Sequence, residues 1–140
     1  MILRADVPPH FSTFLAFDFG AKRTGVAVGN RLLRTATPQA TIRAEASQAR
    51  LDAAAHAIGQ WQPDALVVGV PFHPDGAQHE MTLRCRRFAN QLHGRFKLPI
   101  ELVDERYSSA VIAARRGEVI DALAASIILQ QYFDSHDHSS

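Results

Sequence analysis

The sequence predicts an α/β domain built on a five-stranded mixed sheet, with helices on both faces. Three observations carry that expectation. Hairpin-like segments come first: "FLAFDFG" and "TGVAVGN" are short β-rich runs joined by a tight turn. Later, "DALVVGVP" and "LPIELVDE" are apolar runs separated by an amphipathic stretch, the pattern of β-α-β units and parallel pairing. The closing "IDALAASIILQQYF" is apolar nearly all round, as in a helix buried against a sheet.

Each element has its own justification. Phe14 to Phe19 is aromatic-rich and bounded by Gly20, which reads as a strand. "GAKR" supplies the turn, with Gly20 able to take a positive φ. Thr24 to Val28 returns antiparallel to it, and Leu32 to Thr37 forms a third strand ended by Pro38. From Arg43 to Gln60 the period changes to that of a helix, with Ala46, Ala49, Ala53, Ala57 and Ile58 along one face and Pro63 as the latest stop. "DALVVGVP" is apolar on both sides, as in a strand covered on both faces. "FHPDGAQ" carries turn chemistry at Pro74, Asp75 and Gly76. A helix follows with Met81, Cys85, Phe88, Ala89, Leu92 and Phe96 inward, and Arg84, Arg86, Arg87, Asn90 and Gln91 over much of the rest. After the "LPIELVDE" strand, "YSSAVIAARRGEV" reads as helix or helix plus turn before the closing helix. The first three strands are expected to be antiparallel and the last two parallel to the first, with Ala122, Ala125, Ile128 and Leu129 packing the final helix. Residues 1–13 are expected to be a flexible leader, 14–134 a single domain and 135–140 a disordered tail.

Composition excludes several classes. At 140 residues the chain suits one core, and 46% apolar with 21% charged residues is ordinary for a globular domain. A net charge of +1 gives no global field toward nucleic acid or membrane, so any basic surface is local. The single Cys85 forbids an intramolecular disulfide and a cysteine-only metal site. No apolar run reaches the length of a membrane span, and "MILRADVPPH" lacks the apolar region of a secretory signal, which favours the cytoplasm.

The chemistry rests on acidic residues. Asp18 lies inside an apolar run, where an uncompensated charge is costly. Asp104 and Glu105 end the last strand, and Asp121 opens the final helix. Ligands gather at the carboxyl ends of parallel strands in such folds. Carboxylates brought together there repel one another unless a cation intervenes, and an all-oxygen donor set points to Mg²⁺ or Mn²⁺. Taken singly, each has a plainer reading. Asp18 could bond a turn or pair with Lys22 or Arg23, Glu105 could pair with Arg106, and Asp121 could cap a helix. His73 and His79 do not form a recognised zinc spacing, and His136 and His138 sit in the tail.

The motifs also resemble a family. "FDFGAKRTGVAVG" is similar to the D-x-G-x-K-R-x-G-x-A hairpin of the YqgF- or RuvX-type nucleases. "VVGVPFHPDGAQ" resembles their G-x-P-x-x-x-D-G loop, "RRFANQL" the helix after it, "VDERYSS" their D-E-R-x-[ST]-[ST] segment, and "IDALAASIILQQYFD" their closing helix. The resemblance runs from about Phe14 to Asp134 with the motifs in order. It implies an RNase H-like fold, and a nuclease that processes the 5′ end of precursor 16S rRNA or resolves four-way Holliday junctions. It also implies that Asp18, Glu105 and Asp121 are both the catalytic and the metal-binding set. Two divalent ions held there would activate water and stabilise the leaving oxygen. Lys22, Arg23, Arg106, Arg115 and Arg116 are the candidate nucleic-acid contacts, with Ser108 and Ser109 as further hydrogen-bond donors or helix caps. The implied partner is structured RNA or branched DNA, including the ribosomal small-subunit precursor, and the protein is expected as a monomer or homodimer. One departure from the family pattern stands out: only the fourteen residues Tyr107 to Ile120 separate Arg106 from Asp121, where the family has a longer Gly- and Lys/Arg-rich stretch.

Two other classes fit parts of the pattern. Actin-like ATPases share a D-x-G hairpin, but they close a second domain over the nucleotide, and this chain has no residues to build one. A catalytically silent RNA- or ribosome-binding module would keep the same fold without turnover.

Overall fold

The computed structural model describes residues 11–71, 75–78, 80–105 and 121–136. In chain order the elements are β1 (Thr13–Asp18), β2 (Arg23–Asn30), β3 (Thr35–Arg43), α1 (Ser47–Trp61), β4 (Ala65–Val70), α2 (Glu80–Phe96), β5 (Ile100–Asp104) and α3 (Asp121–His136). The strands form one sheet in the order β3-β2-β1-β4-β5. β1 pairs antiparallel with β2 and parallel with β4, β2 pairs antiparallel with β3, and β4 pairs parallel with β5. This is the mixed sheet that the order of hairpins and β-α-β units requires.

The central strand explains its own composition. Side chains of a strand alternate between faces. Leu15 and Phe17 join the core under α1 and α2, with Leu66, Val68, Phe88 and Leu92. Phe14 and Ala16 join the core under α3, with Val67, Ala125, Ile128 and Leu129. A strand covered on both faces needs apolar residues at every position, and β4 is likewise buried throughout. Phe14 packs edge-on to Phe133 at 5.5 Å between ring centres, and Phe17 packs edge-on to Phe88 at 5.7 Å. The four residues expected to pack the last helix are all buried.

Three local expectations need correction. The third strand begins at Thr35 and runs through Pro38 to Arg43. Leu32 and Leu33 instead lie exposed in the β2–β3 turn, where the Asn30 side chain accepts a hydrogen bond from the Leu33 amide at 3.0 Å. Pro38 is tolerated because β3 is an edge strand and its register with β2 shifts between Val26 and Ala27. α1 consequently starts at Ser47, and its buried residues are Arg50, Leu51 and Ala54, while Ala46 and Ala49 are exposed. An inward arginine masked the true period. Gly20 does not take a positive φ; a β-carbon there would collide with the carbonyl of Arg23, so the turn needs its lack of a side chain. Between β4 and α2, Gly76 does take a positive φ of 91° and Asp75 accepts from the Ala77 amide at 2.9 Å, as turn chemistry there predicts. The 1–10 part of the leader, the 137–140 part of the tail and the expected helix between Tyr107 and Val119 lie outside the described residues.

Candidate active site

Strand parity selects the acidic residues. Asp18 ends β1 in the same alternation as Phe14 and Ala16, so its side chain leaves on the α3 face. It is 5% exposed. On β5, Val103 faces α3, whereas Asp104 pairs with Val70, whose side chain belongs to the opposite core. Glu105, one residue past β5, returns to the α3 face and is 3% exposed. Thus Asp18 and Glu105 share a face and Asp104 does not.

Two glycines bring the backbone and side chains close at this edge. Gly25 is the β2 partner of Asp18. A β-carbon on Gly25 would overlap the main-chain carbonyl of Asp121 and approach the Ala122 amide at 2.8 Å. The first turn of α3 therefore rests directly on β2 beside Asp18. Gly69 of β4 stands under the Glu105 carboxylate: a β-carbon there would lie 2.5 Å from Glu105 Oε2 and 2.5 Å from Ile128 Cδ1. Absent side chains at Gly25 and Gly69 make room for Asp121 and Glu105.

The Asp121 carboxylate is engaged with Arg23, Nε to Oδ2 at 3.3 Å, with 57% and 27% of the two side chains exposed. Arg23 thus holds Asp121 on α3. Lys22 is exposed in the β1–β2 turn. Among the described residues, no group of three or more His, Cys, Asp or Glu is placed to hold a metal ion. Arg106, Arg115, Arg116, Ser108, Ser109, His73, His79 and His138 lie outside the described residues.

Polar residues that the sequence did not single out tie the elements of the sheet and its helices together. Arg50 of α1 is 3% exposed, and its Nη2 donates to the carbonyls of Gly20, Ala21, Ala44 and Glu45 at 3.3, 2.8, 3.0 and 3.4 Å. It fixes the β1–β2 turn to the start of α1. Burial, followed by the charge of Arg84, lowers its pKa from the ordinary guanidinium value. Glu101, 4% exposed on β5, accepts from the Tyr132 hydroxyl at 3.3 Å. Burial first, then the neighbouring Glu101 charge and this hydrogen bond, push the tyrosine pKa well above its ordinary value. Asp64 accepts from the Ser12 and Thr13 amides at 2.9 and 3.1 Å, anchoring the entry to β1. The Thr82 hydroxyl donates to the Pro71 carbonyl and ties α2 to the end of the β4 segment. A lone Arg or Glu in an amphipathic segment gives no sequence signal that it points inward.

Known proteins resemble this chain in sequence and in fold. A relative from Albidiferax ferrireducens, named "Putative pre-16S rRNA nuclease", is 62% identical over 129 residues, covering 92% of this chain and 82% of its own length. One of the same name from Paraburkholderia phytofirmans is 55% identical over 135 residues, covering 91% and 92%. Among solved structures, Thermus thermophilus RuvC in complex with Holliday junction substrate superposes with a TM-score of 0.59 at 13% identity, over 89% of this chain and 95% of that one. The Fowlpox virus resolvase with Holliday junction DNA superposes with a TM-score of 0.54 at 13% identity, over 90% and 99%. At that identity the likeness establishes the fold, the RNase H-like one that the motifs implied. Among the described residues no helix is long and apolar enough to cross a membrane. The model of the RuvX family, described as Holliday junction resolvase, matches residues 12–135. With nearly its whole length matched, the chain belongs to the RuvX family.

Proposed function

We propose that this protein is a metal-dependent endonuclease that hydrolyses phosphodiester bonds of structured RNA, with the 5′ end of precursor 16S rRNA as its substrate in the cytoplasm. One observation carries the catalytic part of the reading: Asp18 and Glu105, from β1 and the end of β5, are buried on the one sheet face where α3 begins with Asp121. The names of relatives at 62% and 55% identity support the RNA substrate.

The three carboxylates are oxygen donors of the kind a hard divalent cation takes, and as described they are not yet gathered around one point. Asp18, Glu105 and Asp121 are the residues we assign to hold Mg²⁺ or Mn²⁺. Such ions, when bound, activate water at neutral pH and stabilise the leaving oxygen of a phosphodiester. The chain's own residues do the remainder. Asp18 and Glu105 are held in place by the sheet. Asp121 is held by Arg23, an exposed pair of the kind worth about 0.2–1 kcal/mol. So small a tie opens readily, and Arg23 then exchanges a carboxylate for a substrate phosphate while Asp121 joins the other two acids. Lys22 on the same turn contacts a flanking phosphate, with Arg106, Arg115 and Arg116 as further contacts.

The test offers the purified protein a 5′-extended 16S precursor fragment and a four-way DNA junction, each in Mg²⁺, Mn²⁺ or EDTA. Metal-dependent trimming of the RNA, lost in EDTA and in Asp18→Asn, is expected. Cutting of the junction alone would assign the protein as a resolvase. Tight RNA binding with neither substrate cut would make it a silent binding module.

A further inference from the structure

The residue after Asp18 opens onto a different site. Phe19 belongs to the core under α1 and α2, on the sheet face opposite the carboxylates. The Arg50 guanidinium lies over its ring at 4.5 Å and that of Arg84 at 5.6 Å. Between α1 and α2 these groups border a cavity of about 80 Å³, lined also by Arg87, Ser47 and Gln91. No acidic side chain is among its described lining residues. The acid of α1, Asp52, pairs elsewhere, with Arg95 at 3.1 Å. Arg50 is 3% exposed, and although its Nη2 is served by carbonyls, its Nε is buried with no hydrogen-bond partner. A buried guanidinium normally has its donors satisfied and its charge matched. The Nε itself is closed off from water, so what the cavity meets is the charge of three arginines with no acidic side chain among its described lining residues.

We propose that this cavity is a binding site for a single phosphate group. Arginine forks match the oxygens of a tetrahedral oxyanion, and the Ser47 hydroxyl and Gln91 amide add neutral donors. A volume of about 80 Å³ is well below the roughly 300–1,000 Å³ of a drug-sized ligand site, so the cavity takes the phosphate and leaves any attached nucleoside outside. Because Arg50 also holds the carbonyls of Gly20 and Ala21, an anion here braces the turn that carries Lys22 and Arg23. The phosphate is either the end of a nucleic-acid strand or the free ion. The site stands apart from the nuclease reading, and binding is measured without turnover.

Calorimetric titration with inorganic phosphate, against sodium chloride at matched ionic strength, tests it. Arg50 is a poor target because its loss would free four carbonyls, so the double variant Arg84→Gln/Arg87→Gln is used. The parent and Asp18→Asn are expected to bind phosphate alike, and the double variant roughly tenfold or more weakly, the effect of losing about 1.4 kcal/mol of charge-assisted bonding. In the parent, the Arg50 Nε–H resonance is expected to shift on phosphate addition. Displacement of phosphate by a 5′-phosphorylated oligoribonucleotide, and not by its 5′-hydroxyl form, would assign the site to a strand end; no displacement by either would assign it to the free ion. Equal heats from chloride, or a double variant that binds as the parent does, would overturn the proposal.

Discussion

Gly69→Ala is the sharpest perturbation of the acidic edge, because it adds one methyl group directly beneath Glu105. The new β-carbon would stand 2.5 Å from Glu105 Oε2 and from Ile128 Cδ1, which is 0.9 Å inside the 3.4 Å at which ordinary contact begins. Both neighbours are side-chain ends, so they yield and the backbone does not have to. Overpacking of this size costs about 1–3 kcal/mol. For a domain of this length that corresponds to a Tm lower by roughly 3–10 °C. Catalysis should suffer more than stability, since displacing a reacting group by about 1 Å can cost on the order of 100-fold. The assay is cleavage of the 5′-extended precursor fragment in Mn²⁺, with melting followed on the same preparations. Gly94→Ala is the control: it has nothing within 4 Å, lies on α2, and should gain about 0.5–1 kcal/mol of helix stability with unchanged cleavage. A Gly69→Ala protein that melts several degrees lower yet cuts within twofold of the parent would refute the placement of Glu105 in the reacting site.

Other expectations are simpler. Asp18→Asn should lower Mn²⁺-dependent cleavage by orders of magnitude while Tm holds or rises, because one carboxylate of a mutually repulsive set is gone; a lower Tm with full activity would make Asp18 a structural residue. Arg23→Gln removes the tie on Asp121, so Tm should shift by no more than the equivalent of about 1 kcal/mol while Mn²⁺ binds more tightly by calorimetry. Tyr132→Phe should cost about 1–2 kcal/mol by urea unfolding, since the buried Glu101 loses a donor. The same hydroxyl has a raised pKa when folded, so its contribution is fully present below the ordinary tyrosine value of 10.0 and is lost as pH rises above it. The parent should therefore lose stability above that pH more steeply than Tyr132→Phe does.

Much of the sheet was legible because burial on two faces leaves a strong trace. β1 and β4 could hardly be anything but inner strands, since a surface strand would alternate. The edge strand was misjudged for the opposite reason. Leu32 and Leu33 are apolar yet exposed, and Pro38 marks an end only where both neighbours demand a hydrogen bond. Arg50 is invisible because its burial depends on four carbonyls, two of them on a turn 30 and 29 residues away, a tertiary arrangement no helical period encodes. At the candidate site, the sequence nominated residue types but not their partners: Arg23, considered as a partner for Asp18, is found on Asp121.

The choice between Asp104 and Glu105 shows what the fold adds to a motif. Adjacent residues at a strand end differ by one step of a two-residue period, and that step moves a carboxylate from one side of the sheet to the other. Val70, the partner of Asp104, belongs to the core under α1 and α2, while Glu105 reaches Gly69 and the α3 side. Asp121, the first residue of α3, begins the helix on that same side. An acid at position 104 therefore cannot meet Asp121 without passing through the sheet, whereas one at 105 already lies on its side. The same step separates Asp18 from Phe19, and with them the carboxylate edge from the arginine cavity. Exchanging the two residue types, as Asp104→Glu with Glu105→Asp, keeps charge and composition and shortens only the arm on the α3 face. Cleavage should fall sharply in that double variant and stay near the parent's in Asp104→Asn alone; equal losses in both would mean that the two acids act through charge and not through the face they occupy.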